Sequence, residues 1–212
     1  MRFRPLYQLP RWLQRLYPGA TWRRDAAVYL TFDDGPIPEV TPRILEILRQ
    51  KQAKATFFVV GDNISKHPGL LEQIVADGHR VGNHTFHHLS GWRTPTERYF
   101  LDVSLCEGRI TDDDPFVDLD RRLFRPPYGK MRPSQYKALR KAGYEVVLWD
   151  VLTHDYNKRY TAEDMLDVVK RYTRLGSIVV FHDSLRSGER MLEALPRAID
   201  WWREQGYELK TL

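Results

Sequence analysis

Short runs rich in β-branched and aromatic residues alternate with longer stretches of helical periodicity along nearly the whole chain. This alternation constrains the fold more than any other feature. Residues 28–32 read as the first strand, followed by a helix over 40–52 with Ile44, Leu45, Ile47 and Leu48 on one side. Residues 55–60 form a second, wholly apolar strand, 70–77 a helix ended by Gly78, and 80–83 a short third strand. Further strands are predicted at 123–125, 146–149, 178–181 and 207–209, with helices at 96–110, 133–142, 162–175 and 190–204 between them. Repeated βα units of this length point to an α/β fold with a mostly parallel sheet, and their number favours a closed or nearly closed barrel over a small open sheet. On such a fold the functional side chains belong at the C-terminal ends of the strands.

A chain of 212 residues can hide roughly 70% of its unfolded surface, so it needs neither disulfide nor structural metal to fold. Any metal would therefore serve chemistry. The single cysteine, Cys106, cannot form an intrachain bridge and excludes thiolate zinc sites and CxxC redox pairs; it reads as a small buried hydrophobe. No apolar run approaches the ~20 residues of a membrane span, in keeping with a mean hydropathy of −0.53. Pro5, Pro10 and Arg11 interrupt every apolar stretch near the start, so no secretory segment is read there and a cytoplasmic location is expected on that ground. The acidic run Asp112-Asp113-Asp114-Pro115 lacks the glycine and terminal glutamate of a calcium loop and reads as a solvated turn.

A formal net charge of +5 and a pI near 9.3 raise the question of an anionic partner. The excess lies at one end. Arg2, Arg4, Arg11, Arg15, Arg23 and Arg24 fall within the first 24 residues, which hold no acidic residue, so the rest of the chain is close to neutral. Nucleic-acid binding is therefore not expected. Residues 1–25 are read as a basic leader and 26–212 as the single globular domain. With Trp12, Leu13 and Leu16 among its arginines, the leader is expected to pack across the barrel's end, weak association with an anionic membrane surface being the alternative.

The polar residues that follow the predicted strands share one face: Asp33-Asp34-Gly35 after the first, His84 and His88 after the third, Arg125 after the fourth, Asp155 beyond the fifth, His182-Asp183 after the sixth. Imidazoles four residues apart can reach a common metal, with His87 competing as second ligand, and Asp34 would complete an Asp-His-His set. Nitrogen and oxygen donors of this kind suit zinc, with cobalt or nickel as alternatives, better than calcium or magnesium. If Asp34 binds metal, Asp33 is free to act as a base. His182 could protonate a leaving amine, with Asp155 holding its imidazolium, while Arg125 could keep Asp33 ionised. In Arg125-Pro126-Pro127-Tyr128-Gly129 two prolines stiffen a turn that can present the Tyr128 amide to an oxyanion.

These stretches, in this order from about Val28 onwards, resemble the polysaccharide deacetylase family, also called the NodB homology domain or carbohydrate esterase family 4. The resemblance implies a distorted seven-stranded (β/α) barrel. In Thr31-Phe32-Asp33-Asp34-Gly35 it makes Asp33 the catalytic base and Asp34 a metal ligand. In His84-Thr85-Phe86-His87-His88 it selects His84 and His88 over His87. In the Arg125–Gly129 stretch, Arg125 would position the base and Tyr128 lend its amide to the oxyanion. In Ile178-x-Val180-x-His182, Val180 would face the acetyl methyl group and His182 would be the general acid. The remaining motif departs from the family's usual Asp, small residue, any residue, Asp, Trp: here it reads Leu152-Thr153-His154-Asp155-Tyr156. Asp155, which by resemblance tunes His182, is kept, whereas Leu152 and Tyr156 change the wall of the groove.

The expectation is a metal-dependent hydrolase, acting on carbon–nitrogen bonds other than peptide bonds, that removes N-acetyl groups from a hexosamine-containing glycan. The family's substrates often lie in the cell envelope or outside the cell. An O-acetyl esterase acting on a polysaccharide such as xylan, and a non-catalytic glycan-binding barrel, are the competing readings.

Overall fold

A computed structural model describes residues 7–8, 14–24, 26–113 and 121–212. Its seven strands are β1 (Tyr29–Asp33), β2 (Thr56–Val59), β3 (Arg80–Asn83), β4 (Leu123–Phe124), β5 (Glu145–Val146), β6 (Val151–Leu152) and β7 (Ile178–His182). All neighbours pair in parallel, in the order β5-β4-β3-β2-β1-β7-β6. The two edge strands, β5 and β6, are separated in sequence by residues 147–150 alone. A flat seven-stranded sheet would hold its edges about 29 Å apart, whereas five Cα steps reach at most about 18 Å. The sheet must therefore curl until its edges approach, which produces the distorted barrel.

Alternation along the strands sorts their side chains into two layers. Leu30 and Phe32 of β1, Phe57 and Val59 of β2, and Val179 and Phe181 of β7 face outward into one apolar cluster. Of the helices α1 (Thr41–Gln50), α2 (Gly61–Lys66), α3 (Leu70–Ala76), α4 (Thr96–Asp113), α5 (Pro133–Lys141), α6 (Ala162–Tyr172) and α7 (Gly188–Glu204), all but α5 add buried side chains to this cluster, while α5 gives Tyr136 and Leu139 to a second one. Two of them show how the sequence sets this packing. In α1, Pro42 occupies the first turn, where no backbone donor is lost, and Ile44, Leu45 and Leu48 are buried. In α7, Pro196 sits inside the helix at a cost of about 3 kcal/mol, yet the helix continues because Leu192, Leu195, Ile199 and Trp202 are buried on both sides of it. The intervening strand positions, Tyr29, Phe58, Phe124, Ile178 and Val180, face inward into a second cluster. The same alternation sends Asp33 and His182 inward at the C-terminal ends of β1 and β7.

Three expectations from the sequence are corrected. Residues 207–209 do not form a strand: Leu209 makes one isolated parallel bridge to Val28, because β7 pairs with β1 from Tyr29 and β2 from Thr31. The run 146–149 does not continue as one strand. Thr21 bonds to Val146 and Leu148, the chain turns, and Val151–Leu152 join β7 as a separate strand, so Asp155 follows β6 and His182 ends β7. Asp112 and Asp113 belong to the last turn of α4 rather than to a solvated turn, and Asp114 and Pro115 lie outside the described residues.

Part of the basic leader is built into the barrel. Thr21 bridges Val147 and Arg23 bridges Ser177, so residues 21–24 span from the edge of β5 to the start of β7. Tyr17 and Trp22 join the inner cluster, and Arg23 and Arg24 pair with Asp150 and Glu145. Arg2, Arg4, Arg11, Trp12 and Leu13 lie outside the described residues, while Leu16 is exposed. No described helix is long and apolar enough to cross a membrane.

Candidate active site

At the inner, C-terminal end of the strands lies a cleft of about 580 Å³ whose lining includes Asp33, Asp34, His84, His88, Val180 and His182. Asp34 is the first residue beyond β1 and has a left-handed backbone (φ 87°), which separates its carboxylate from that of Asp33. The turn is braced from β7. Asp183, fully buried, accepts the Gly35 amide at 2.9 Å and the Thr41 hydroxyl at 2.8 Å, while its own amide donates to the Asp33 carbonyl at 3.0 Å. A Cβ on Gly35 would come within 1.8 Å of the Asp183 carboxylate, so only glycine fits. Burial raises the Asp183 pKa to about 8, against the opposing pull of the Thr41 and Gly35 donors.

His84 and His88 follow β3. Their Nε2 atoms lie 3.7 and 3.1 Å from Asp34 Oδ1, and ligand atoms of all three residues lie within 4.8 Å of one another. His84 Nδ1 is 2.7 Å from the Arg125 carbonyl, which fixes the proton on Nδ1 and leaves Nε2 as a lone-pair donor. Burial pushes the His84 pKa down to about 4, so the imidazole is neutral. Burial opposes ionisation of Asp34, but the His88 hydrogen bond and the charges of His182, His88 and His84 hold it well below the usual carboxylate range. One carboxylate and two imidazoles, one already oriented by an outer carbonyl, fit a late first-row divalent ion such as zinc. His87 is turned elsewhere: its Nδ1 lies 2.6 Å from Asp102.

Asp33 is held separately. Arg125, wholly buried, donates from Nη1 to Asp33 Oδ1 at 2.6 Å and to Thr31 Oγ1 at 2.8 Å, and from Nη2 to the Leu148 carbonyl at 3.1 Å. Its guanidinium stacks 4.0 Å over the Phe58 ring. His182 pairs with Asp155 twice: Nδ1 is 2.7 Å from Oδ1, and the backbone amide donates to Oδ2 at 2.6 Å. Burial alone would lower the His182 pKa, but the charge and hydrogen bond of Asp155, joined by Asp34 and Asp33, raise it to about 10.

Tyr128, with φ 61°, occupies the turn after Pro126-Pro127, and its ring packs 4.6 Å from that of His88. Tyr156 meets His182 edge to face at 5.2 Å, and Val180 lies on the cleft floor, fully buried. All ten residues singled out in the sequence thus meet at one end of the barrel. Sequence reasoning assigned no role to Asp183, Trp149, Lys130 or Arg186, of which the last three line the cleft. Adjacency to His182 was the one available signal for Asp183; isolated loop cations carry none.

A sequence profile described as polysaccharide deacetylase matches residues 22–147. The chain is 32% identical over 201 residues to a peptidoglycan-N-acetylglucosamine deacetylase of Bacillus cereus, spanning 91% of this chain and 90% of that protein. It is 34% identical over 192 residues to a chitooligosaccharide deacetylase of Azorhizobium caulinodans, spanning 90% and 85%. Among solved structures, it resembles a peptidoglycan N-acetylglucosamine deacetylase in complex with a hydroxamate-type benzamide, with a TM-score of 0.87, 29% identity and coverage of 96% and 95%. It also resembles a CE4 family pseudoenzyme from Bacillus anthracis, with a TM-score of 0.82, 28% identity and coverage of 94% and 69%.

Proposed function

This chain belongs to the polysaccharide deacetylase family, and we propose that it is a metal-dependent hydrolase that removes N-acetyl groups from a hexosamine-containing glycan. The observation that carries this reading is that Asp33 and His182 line the same cleft as the Asp34-His84-His88 cluster, each with its own ionic partner. Asp34, His84 and His88 would hold a divalent ion, which would supply a Lewis acid for the acetyl carbonyl and for water.

Asp33 takes the proton of the attacking water. Arg125 orients that carboxylate by holding one of its oxygens, in a residue that lines the cleft. The Tyr128 amide, on its stiff diproline turn, donates to the developing oxyanion. Val180 closes the floor against the acetyl methyl group. His182, held protonated by Asp155, passes its Nε2 proton to the departing amine, which leaves acetate and a free amino sugar. The Tyr156 ring against His182 restricts the imidazole's rotation.

The test is acetate release by protein loaded in turn with zinc, cobalt and nickel, from chitooligosaccharides, peptidoglycan and acetylxylan. Release from N-acetylated substrates supports the proposal. Release from acetylxylan alone replaces it with an O-acetyl esterase. The likeness to a pseudoenzyme favours one further reading, a glycan-binding barrel without turnover. Glycan binding with no acetate from any metal-loaded form would select it.

A further inference from the structure

The two walls of the cleft are built alike. On the β3–β4 side the sequence of contacts runs from the His88 imidazole to the Tyr128 ring at 4.6 Å, and on to the Lys130 ammonium, 5.9 Å from that ring. On the β6–β7 side it runs from the His182 imidazole to the Tyr156 ring at 5.2 Å, and on to Arg186. Arg186 is near enough to Tyr156 for its charge to oppose the upward push that burial and Asp155 give the phenol. Imidazole, tyrosine, cation is thus the order on both sides of β1, from the reacting centre outward.

The charges at the centre are internally matched: Asp33 by Arg125, His182 by Asp155. Lys130 and Arg186 are not. Among the described residues neither forms a salt bridge, and the Lys130 ammonium lies over the aromatic faces of Trp92, at 5.5 Å, and Tyr128. Trp92 and Tyr128 are more than half exposed, so one wall ends in two open aromatic faces with a cation between them. Sugar rings stack on such faces, and a cation beside them reads the ring's substituents. A divalent ion at Asp34 would only add positive charge. A neutral glycan gains nothing from two unmatched cations at the rim, whereas an acidic one is drawn in by both.

We infer that Lys130 and Arg186 are specificity-determining residues that select a glycan in which sugars flanking the reacting acetamido sugar carry carboxylates. This inference rests on the proposed deacetylase reading and narrows its substrate from neutral acetylated glycans to acidic ones. Peptidoglycan strands freed of their peptides have this chemistry, since every second sugar bears a lactyl carboxylate; chitooligosaccharides do not.

The experiment compares such strands with the same strands after conversion of their carboxylates to primary amides, a change that removes charge and keeps shape. Binding is measured by titration calorimetry on the zinc-loaded Asp33→Asn protein, alone and combined with Lys130→Gln, Arg186→Gln or both. The acidic strand is expected to bind about 2–25-fold more tightly than its amide, at up to about fivefold per cation. That preference should fall towards unity in the double variant, and in 1 M salt, where the screening length is only about 3 Å. Equal binding of acid and amide, or a preference that survives both substitutions, overturns the inference. Acetate release by the unsubstituted protein separates the two readings. Release from both strands without any charge preference in binding leaves the deacetylase reading standing and this one refuted. A charge preference without release refutes the deacetylase reading and upholds charge selection by this cleft.

Discussion

Asp33 and His182 are register partners on adjacent parallel strands, β1 and β7, yet each turns to a different counter-ion, Arg125 at 2.6 Å and Asp155 at 2.7 Å. Neighbouring strands put the two side chains on one face, and a carboxylate beside an imidazole would ordinarily form a simple ion pair. The separate partners prevent that. This gives the two groups separate environments, as the proposed division between base and acid requires.

The Arg125–Asp33 pair is buried on both sides, so removing one member strands a charge. Arg125→Met should cost about 3–5 kcal/mol of stability, measured by urea unfolding. Adding Asp33→Asn to that variant should recover much of the loss without restoring acetate release. If the single and double variants are equally unstable, the cost lies in packing over Phe58 rather than in the charge.

Asp155→Asn should move the alkaline limb of the kcat/KM profile to lower pH by at least about one unit, because Asp155 is what raises His182 to about 10. The sign for stability follows from the same shift. A folded pKa above the ordinary 6.5 favours the fold in the protonated form, so this contribution is complete below about pH 6.5 and lost as pH rises through about 10. The stability advantage of the unsubstituted protein over Asp155→Asn should therefore shrink across that window. An alkaline limb that does not move would remove His182 from the role of acid.

Gly35→Ala should damage the metal site without touching a ligand. The added Cβ meets the Asp183 carboxylate at 1.8 Å, and the turn that presents Asp33 and Asp34 has to shift. We expect a loss of about 1–3 kcal/mol together with weaker zinc binding, read by competition with a chelating dye. Normal zinc affinity in a destabilised Gly35→Ala protein would mean that the brace supports the fold alone.

His84→Ala should weaken zinc binding by more than the about 10–100-fold typical of losing an outer-shell partner, while His87→Ala should leave it close to unchanged. The contrast follows from geometry: His84 faces Asp34, and His87 faces Asp102. Metal analysis after dialysis reads both. Equal losses in the two variants would show that the ligand set is wrong.

The residues at the strand ends were legible in the sequence because position and chemistry coincide there: a carboxylate pair directly after an apolar strand, and two imidazoles one turn apart. The strands that build the barrel's seam were less so. β6 is two residues long, and nothing in Val151-Leu152 distinguishes a strand from the end of the preceding run. The bond from Thr21 that interrupts that run comes from the leader, more than a hundred residues away in sequence. Tyr207-Glu208-Leu209 has strand-like composition, but β7 pairs with β1 from Tyr29 and β2 from Thr31. Asp183 was hidden for another reason, since its function lies in hydrogen bonds to backbone and hydroxyl groups of a different βα unit, which leave no spacing pattern. Lys130 and Arg186 look like any solvated loop cations until the cleft between them is seen.

The most direct test of the account is Asp33→Asn, in which the oxygen that pairs with Arg125 and the shape of the site are kept while the base is lost. Zinc content and acetate release from an N-acetylglucosamine oligomer are measured on the same preparation. One zinc per chain is expected, as in the unsubstituted protein, with acetate release reduced by at least about 100-fold. Full zinc content with undiminished acetate release would contradict it.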